Sequence, residues 1–249
     1  MLDSSSSAQV AANQAAPIPE NNDTPSKNQS TNKAQANKGA WQNPFVYLLA
    51  FSSGFSIMGI ELLGGRILAP YFGSSVHIWG SIITVFMLSL SFGYLLGGKL
   101  STHNPSLKKY GLIFIFAGLT VTPVALFAES IMEVIFLNIE DSRYGSLVAS
   151  MALFFIPTII LGMLSPYSVR LLVEDQHKSG QVAGVLYFVS TLGSAMGTII
   201  TSFYFILWFE VNDIILSFSA FLVVLGFAAL ALNSKSYTHH VASQTSSEG

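Results

Sequence analysis

The sequence contains no cysteine, and few of its residues carry a charge. The absence of cysteine excludes disulfides, thiolate chemistry and cysteine-based metal sites. Charged residues make up 10% of the 249 residues, whereas hydrophobic residues make up 51%. Because soluble domains average about 25% charged residues, this composition indicates an integral membrane protein. The net charge of −2, without a basic stripe and interleaved aromatics, argues against a nucleic-acid partner.

Motifs that carry catalysis or bind metals are also missing. The five histidines are scattered over loops and a tail, and only the adjacent pair His239 and His240 lies close together. No HExxH or GxSxG motif is present. The sequence therefore predicts no catalytic residues, no metal site and no cofactor.

Long apolar runs are abundant instead. A membrane span needs about 20 mostly apolar residues, and six candidates are present: 44–66, 77–98, 111–130, 146–168, 183–208 and 213–232. We predict an all-α polytopic bundle of six transmembrane helices within residues 41–232, whose fifth span is long enough to be tilted or broken. The polar segments 1–40 and 233–249 are predicted to be disordered tails.

The distribution of lysine and arginine predicts the orientation. Nine of the 11 basic residues fall in the two tails and in the loops after the second and fourth spans, and the other two are Arg66 and Arg143. Under the positive-inside rule both termini are then cytoplasmic. The opposite loops are acidic and could gather cations, although acidic external loops are common. These acids are Glu129, Glu133, Glu140, Asp141, Glu210 and Asp213.

Two charged residues lie at the far end of the first span, in the stretch GIELLGGRILAPYFG from Gly59 to Gly73. A carboxylate such as Glu61 is expensive at membrane depth unless it is paired or faces a polar cavity. Glu61 could therefore face a ligand. Alternatively, Glu61 and Arg66 could form a structural polar latch, although five residues fit the helical i, i+4 spacing only loosely, or Arg66 could snorkel to the headgroups.

Two GxxxG motifs that lie wholly within predicted spans predict close helix packing. Gly93 and Gly97 form one in the second span, and Gly193 and Gly197 form another in the fifth. Small residues at this spacing let two backbones approach in lipid. We therefore expect the second and fifth spans to be central in the bundle, with packing rather than ligand binding as the role of these glycines.

Four segments together resemble a known membrane module. They read GIELLGGRILAPYFGSSVHIWGSI, FGYLLGGKLS, PTIILGMLSPYSVRLL and GQVAGVLYFVSTLGSAMGTIITSF. They are similar to the membrane module of bacterial spermidine synthase-like proteins, in which a transporter-like membrane half is fused to a polyamine aminopropyltransferase. The resemblance covers residues 44–232 and implies a bacterial inner-membrane location and a polyamine connection.

The catalytic half of that family has no counterpart in this sequence. No Gly-rich strand-to-helix turn with a downstream acidic residue lies outside the predicted spans. The chain is therefore expected not to be an aminopropyltransferase by itself. One hypothesis is a non-catalytic membrane subunit that anchors or regulates a separate, soluble aminopropyltransferase-like enzyme on the cytoplasmic side.

A second hypothesis is transport or sensing of a small organic cation such as a polyamine. Glu61 would then face the amine, with Arg66, Tyr71 and Tyr187 as neighbours. Six spans are half of a typical twelve-span transporter, so this hypothesis expects a homodimer. In a third hypothesis, Glu61 and Arg66 only stabilise the fold.

Overall fold

A computed structural model describes the backbone of residues 27–102, 105–173 and 179–245, and the side chains of 44–102, 105–173 and 179–232. Every element in these ranges is helical. The elements are α1 (Lys27–Phe72), α2 (Val76–Ser101), α3 (Leu107–Asn138), α4 (Ser142–Leu172), α5 (Ser179–Ile200), a π-helical segment (Thr201–Phe205), α6 (Ile206–Trp208) and α7 (Val211–Thr245). The chain divides into two units, Met1–Trp41 and Gln42–Gly249, and the bundle described below belongs to the second.

Six helical stretches are long and apolar enough to cross a membrane, which confirms the predicted fold class and number of spans. They are Pro44–Phe72, Val76–Ser101, Leu107–Asn138, Ser142–Leu172, Ser179–Trp208 and Val211–Leu232. The first span continues beyond its predicted end at residue 66 and stops at Phe72. Gly73 follows with a φ of 87°, and its N–H donates to the carbonyl oxygen of Ala69 at 2.9 Å. This left-handed conformation suits glycine and ends the helix.

Helical backbone is also present in parts of both predicted tails. α1 begins at Lys27 and α7 ends at Thr245, which is consistent with the lower cost of extending a helix than of starting one. No side chain is described in 27–43 or 233–245, and residues 1–26 and 246–249 lie outside the described ranges. The disorder of these tails stays a prediction.

The connections between spans lie at two ends of the bundle. We call the end of the bundle where Pro44, Ser101, Leu107, Leu172, Ser179 and Leu232 lie the terminal side. The end with residues 73–75, 139–141 and 209–210 is the opposite side. Because α1 and α5 are odd-numbered spans they run in the same direction, whereas α2, α4 and α7 run against them.

The fifth span packs on α1 through its two predicted glycines. Gly193 abuts the carbonyl oxygen of Phe51, and Gly197 abuts that of Phe55. A methyl group at either position would collide with the α1 backbone. The two helices therefore approach closely at this GxxxG motif.

The second span packs on α4 in the same way. Gly93 abuts the backbone around Gly162, and a Cβ placed on Gly97 would lie 2.5 Å from the carbonyl oxygen of Met163. α4 also contributes a glycine to this contact, because a Cβ on Gly162 would lie 3.2 Å from the Cα of Gly93. The four glycines of both motifs thus lie in helix contacts.

A third close pair, α3 with α7, carries no GxxxG motif. A Cβ on Gly111 would lie 2.8 Å from the carbonyl oxygen of Gly226. Thr122 and Ser219 share a hydrogen bond of 2.8 Å between their hydroxyls, and the Ser219 hydroxyl also donates to the carbonyl oxygen of Gly118 at 2.8 Å. Hydrogen bonds between helices add to packing where the hydrophobic effect does not drive association.

The expectation that α5 is central was wrong. Only 17% of the apolar window of the fifth span is buried, against 39–56% for the other five. α5 packs closely on α1 and also contacts α4, and much of its remaining surface is exposed. A GxxxG motif specifies one close partner, and it does not require that the helix be surrounded.

The helix of the fifth span is interrupted. This agrees with the prediction that the span is long enough to be tilted or broken. Between α5 and α6, residues Thr201–Phe205 form a π-helical turn, and the N–H of Ile206 donates back to the carbonyl oxygen of Thr201. π-Helical turns inside α-helices are frequent at functional sites. The interruption lies in the half of the span nearer the opposite side.

Candidate ligand-binding site

A cavity of about 520 Å³ lies between α1, α2, α4 and α5. We call it the hydroxyl cavity because seven hydroxyl groups are among its lining residues. The lining consists of Ser53, Gly54, Ile57, Met58, Leu90, Tyr94, Ser165, Pro166, Tyr187, Ser190, Thr191 and Ser194. These residues belong to the terminal-side parts of their spans, so the cavity lies in the terminal-side half of the bundle.

Several hydroxyls of this cavity already donate their proton within their own helix. Ser53 donates to the carbonyl oxygen of Ala50 at 2.9 Å, and Ser194 donates to that of Ser190 at 3.2 Å. Their oxygen lone pairs remain available as acceptors. The cavity therefore presents acceptor oxygens, which suit a ligand that carries N–H donors.

Glu61 is partly buried and lies on the face of α1 that lines the hydroxyl cavity. It follows Met58 by three residues, Ile57 by four and Gly54 by seven, and these spacings place residues on one helix face. Glu61 itself is not among the lining residues. Its carboxylate therefore lies about one helical turn beyond the cavity, toward the opposite side.

The carboxylate of Glu61 is deep in the span and has no partner among the described residues. It lies 11 residues before Phe72, the last residue of the span, or about 16 Å along the helix axis. Within the described ranges it makes no hydrogen bond and no ion pair. In particular, Glu61 and Arg66 do not pair, because a separation of five residues places them about 140° apart around the helix.

A second cavity, of about 330 Å³, lies at the opposite side of the bundle. We call it the charged cavity because it combines one guanidinium with two carboxylates. It is lined by Arg66, Ile67, Pro70, Tyr71, Ala128, Glu129, Met132, Glu210, Val211 and Asn212. Two of the six acids assigned to this side from the sequence thus lie near Arg66.

The structure separates the four residues that we predicted to bind a ligand. Arg66 and Tyr71 line the charged cavity, whereas Tyr187 lines the hydroxyl cavity. Glu61 shares the helix face of the hydroxyl cavity. A single site containing all four residues is therefore not present, although a role for each in its own cavity stays a prediction.

Sequence reasoning missed Tyr94, Ser53 and Ser165 as lining residues of the hydroxyl cavity. Tyr94 lies within the GxxxG motif of α2, and its neighbours were interpreted as packing residues. A repeat of Ser and Thr along α5, from Ser190 to Thr201, was the available signal. It did not predict a cavity by itself, because small polar residues serve packing and ligand binding alike.

Comparison with protein-family models, with curated proteins and with solved structures finds no match for this chain. The resemblance to the spermidine synthase-like membrane module therefore stays a prediction.

Proposed function

We propose that this protein binds a small organic cation inside the membrane, and transports or senses it. The observation that carries the proposal is the placement of Glu61, a carboxylate without a partner in the described part of the chain, on the same α1 face as a cavity rich in acceptor oxygens. The sequence resemblance favours a polyamine as the cation.

The energetics of Glu61 support a cationic ligand. A charged side chain at the centre of a span costs roughly 2.5–3.5 kcal/mol on insertion scales. Opposite charges about 4 Å apart attract by about 4 kcal/mol at an effective dielectric constant near 20. An ammonium group beside Glu61 would therefore offset the cost of the carboxylate, and the hydroxyl cavity would accept hydrogen bonds from the remaining N–H groups.

Spermidine binding by the purified protein in lipid nanodiscs tests this proposal. We expect Glu61→Gln to weaken binding by about tenfold or more, because the substitution removes the counter-charge and keeps the shape of the side chain. Glu129→Gln serves as the matched control, since this carboxylate lies in the charged cavity. Equal spermidine affinity in wild type and Glu61→Gln would remove Glu61 from the site.

The proposal includes a bacterial inner-membrane location with both termini in the cytoplasm. Its support is the distribution of basic residues, nine of 11 in the two tails and in the loops after the second and fourth spans of the sequence. The hydroxyl cavity would then lie in the cytoplasmic half of the bundle. A homodimer is also proposed, and the sparse burial of the fifth span, 17%, leaves a helix surface where a second copy could pack.

A second candidate function is the anchoring or regulation of a separate, soluble aminopropyltransferase-like enzyme. Its support is the resemblance, together with the even number of spans, which leaves both ends of the bundle on one side of the membrane. Gentle detergent extraction followed by mass spectrometry tests it. A stoichiometric soluble protein with a nucleotide-binding fold is the expected partner, and purification of the chain alone would count against anchoring.

A further inference from the structure

Three charged side chains line the charged cavity, which lies between α1, α3 and the start of α7. Arg66 belongs to α1, Glu129 belongs to α3, and Glu210 directly precedes α7. None of these three side chains makes a hydrogen bond or an ion pair within the described ranges. The cavity, with a volume of about 330 Å³, therefore brings one positive and two negative charges together without direct pairing between them.

Packing between α1 and α3 fixes the position of the charged cavity. The rings of Tyr71 and Phe72 both contact the ring of Phe136, with centroid separations of 6.1 Å. Ile67 and Met132 line the cavity and are buried. The two helices that carry the opposite charges are thus held by apolar contacts. A ligand can bridge the charges without any movement of these helices.

The indole rings of two tryptophans mark the membrane level of the charged cavity. Trp79 of α2 lies against Gly65, 2.7 Å from a Cβ placed there, and Gly65 is adjacent to Arg66. Trp208 ends α6 three residues before Val211, which lines the cavity. Tryptophan is enriched where the membrane meets water. The charged cavity therefore lies at the level of the lipid headgroups.

A ligand that bridges this cavity needs one anionic and one cationic group. The planar guanidinium of Arg66 matches a phosphate, because two of its N–H groups can donate to two phosphate oxygens. The carboxylates of Glu129 and Glu210 only accept hydrogen bonds, so they suit a primary ammonium, which has three N–H donors. At headgroup level, a phosphoethanolamine group carries both of these charges.

We infer that the charged cavity binds a zwitterion of the phosphoethanolamine class, with its phosphate at Arg66 and its ammonium at Glu129 and Glu210. A phosphatidylethanolamine headgroup and soluble glycerophosphoethanolamine share this chemistry. Phosphatidylcholine is disfavoured because its quaternary ammonium has no N–H, and phosphatidylglycerol is disfavoured because its headgroup has no cation. This site does not rest on the proposed function, since the hydroxyl cavity has a different set of lining residues.

Thermal unfolding of the full chain in nanodiscs, followed by tryptophan fluorescence, tests this site. Phosphatidylethanolamine replaces phosphatidylcholine of the same acyl chains in increasing fractions, and phosphatidylglycerol replaces it in a parallel series. We expect the melting temperature to rise and saturate with phosphatidylethanolamine alone, because a ligand that binds the folded state stabilises it. An equal response to both lipids, or no response to either, would overturn the inference.

Two variants separate the site from a bulk effect of the lipid on the bilayer. Arg66→Gln and Glu129→Gln should each weaken the apparent affinity for phosphatidylethanolamine by about tenfold, the effect of losing one charge-assisted hydrogen bond. Without this lipid both variants should melt close to wild type, because neither substitution breaks an ion pair between described residues. A response to phosphatidylethanolamine that is identical in wild type and in both variants would belong to the bilayer, and the inference would fail.

Glu133→Gln is the matched control on α3. Glu133 follows Glu129 by four residues, is exposed and is not among the residues that line the charged cavity. This variant removes the same charge one helical turn away and should keep the full response to phosphatidylethanolamine. If Glu133→Gln lost the response as Glu129→Gln does, the net charge of this side would recognise the lipid, and the cavity would have no part in it.

Glycerophosphoethanolamine added to phosphatidylcholine nanodiscs distinguishes the two sources of the zwitterion. A saturating rise of the melting temperature would show that the cavity takes the soluble molecule. A rise with phosphatidylethanolamine alone would assign the cavity to the lipid. Both results support the inferred chemistry, provided that Arg66→Gln weakens the response.

Spermidine binding by the same variants separates this site from the proposed function. Glu129→Gln should lose the response to phosphatidylethanolamine and keep spermidine binding, whereas Glu61→Gln should do the reverse. A wild-type protein that responds to phosphatidylethanolamine without binding spermidine would reject the proposed function alone. Spermidine binding without a response to phosphatidylethanolamine would reject the zwitterion site alone.

Discussion

At the scale of single residues, the polar groups inside the bundle fall into two classes. Most buried serine hydroxyls are satisfied within their own helix, as in Ser89, which donates to the carbonyl oxygen of Val85 at 2.6 Å. Glu61 and the hydroxyls of Ser56, Tyr110, Thr158 and Thr201 are different, because each lacks a partner among the described residues. The satisfied groups serve folding, and the unsatisfied groups indicate where a ligand would lower the free energy of the folded state.

The stability of Glu61→Gln distinguishes a ligand-binding role from a structural one. If the only role of Glu61 is to bind a cation, Glu61→Gln should melt at or above the wild-type temperature in buffer without sodium or polyamine. The reason is that the substitution replaces an unpaired carboxylate with a neutral amide. A structural latch predicts a lower melting temperature whether or not polyamine is present. Thermal unfolding of both proteins in the same nanodiscs measures the difference.

At the scale of helices, three glycine contacts organise the bundle, and they join α1 to α5, α2 to α4, and α3 to α7. In lipid these contacts gain van der Waals attraction from backbones that approach closely. The glycines of the two GxxxG motifs could be recognised in the sequence. Their partners could not, because the facing residues on α1 and α4 include backbone carbonyls, which every residue possesses.

Two adjacent glycines of α2 provide a direct test of this packing. Gly97→Ala should destabilise the protein by about 1–3 kcal/mol, because the new Cβ would lie 2.5 Å from the carbonyl oxygen of Met163 and force the helices apart. Gly98→Ala should be neutral or stabilising by up to about 1 kcal/mol, because nothing lies within 4 Å of the new Cβ and alanine favours helix. Thermal or denaturant unfolding in detergent compares the two. Similar stability of both variants would contradict the close contact of α2 with α4.

At the scale of the whole molecule, the structure is a six-span membrane bundle with cavities in both halves. The hydroxyl cavity lies in the terminal-side half, the charged cavity lies at the opposite side, and Glu61 is between their levels on α1. The cavities open on different faces of α1, because Ile57 and Met58 line one and Arg66 and Pro70 line the other. A solute passing through the protein would therefore need α1 to move relative to its neighbours.

The absence of cysteine makes the orientation easy to test. Each introduced cysteine is unique in the chain, and Lys108 and Glu140 are exposed positions on the terminal and opposite sides, respectively. With cytoplasmic termini, a membrane-impermeant maleimide should label Glu140→Cys in intact cells and label Lys108→Cys only after permeabilisation. The reverse pattern would place the hydroxyl cavity in the outer half of the membrane.

The sequence by itself determined the membrane class, the all-α fold and the six spans. These follow from contiguous apolar length, because a chain in hydrocarbon must satisfy its own backbone hydrogen bonds. The sequence also identified Glu61 as unusual, since a carboxylate at that depth is costly whichever neighbour its helix face is turned toward.

Only the tertiary structure decided which helix faces meet. Lipid-facing and protein-facing surfaces are both apolar in a membrane, so hydrophobic periodicity does not distinguish them. For this reason the peripheral position of α5 and the hydroxyl cavity were not foreseen. The contacts of α1 with α4 and with α5 depend on the registers of these helices, and a register is a property of two packed helices rather than of either sequence alone.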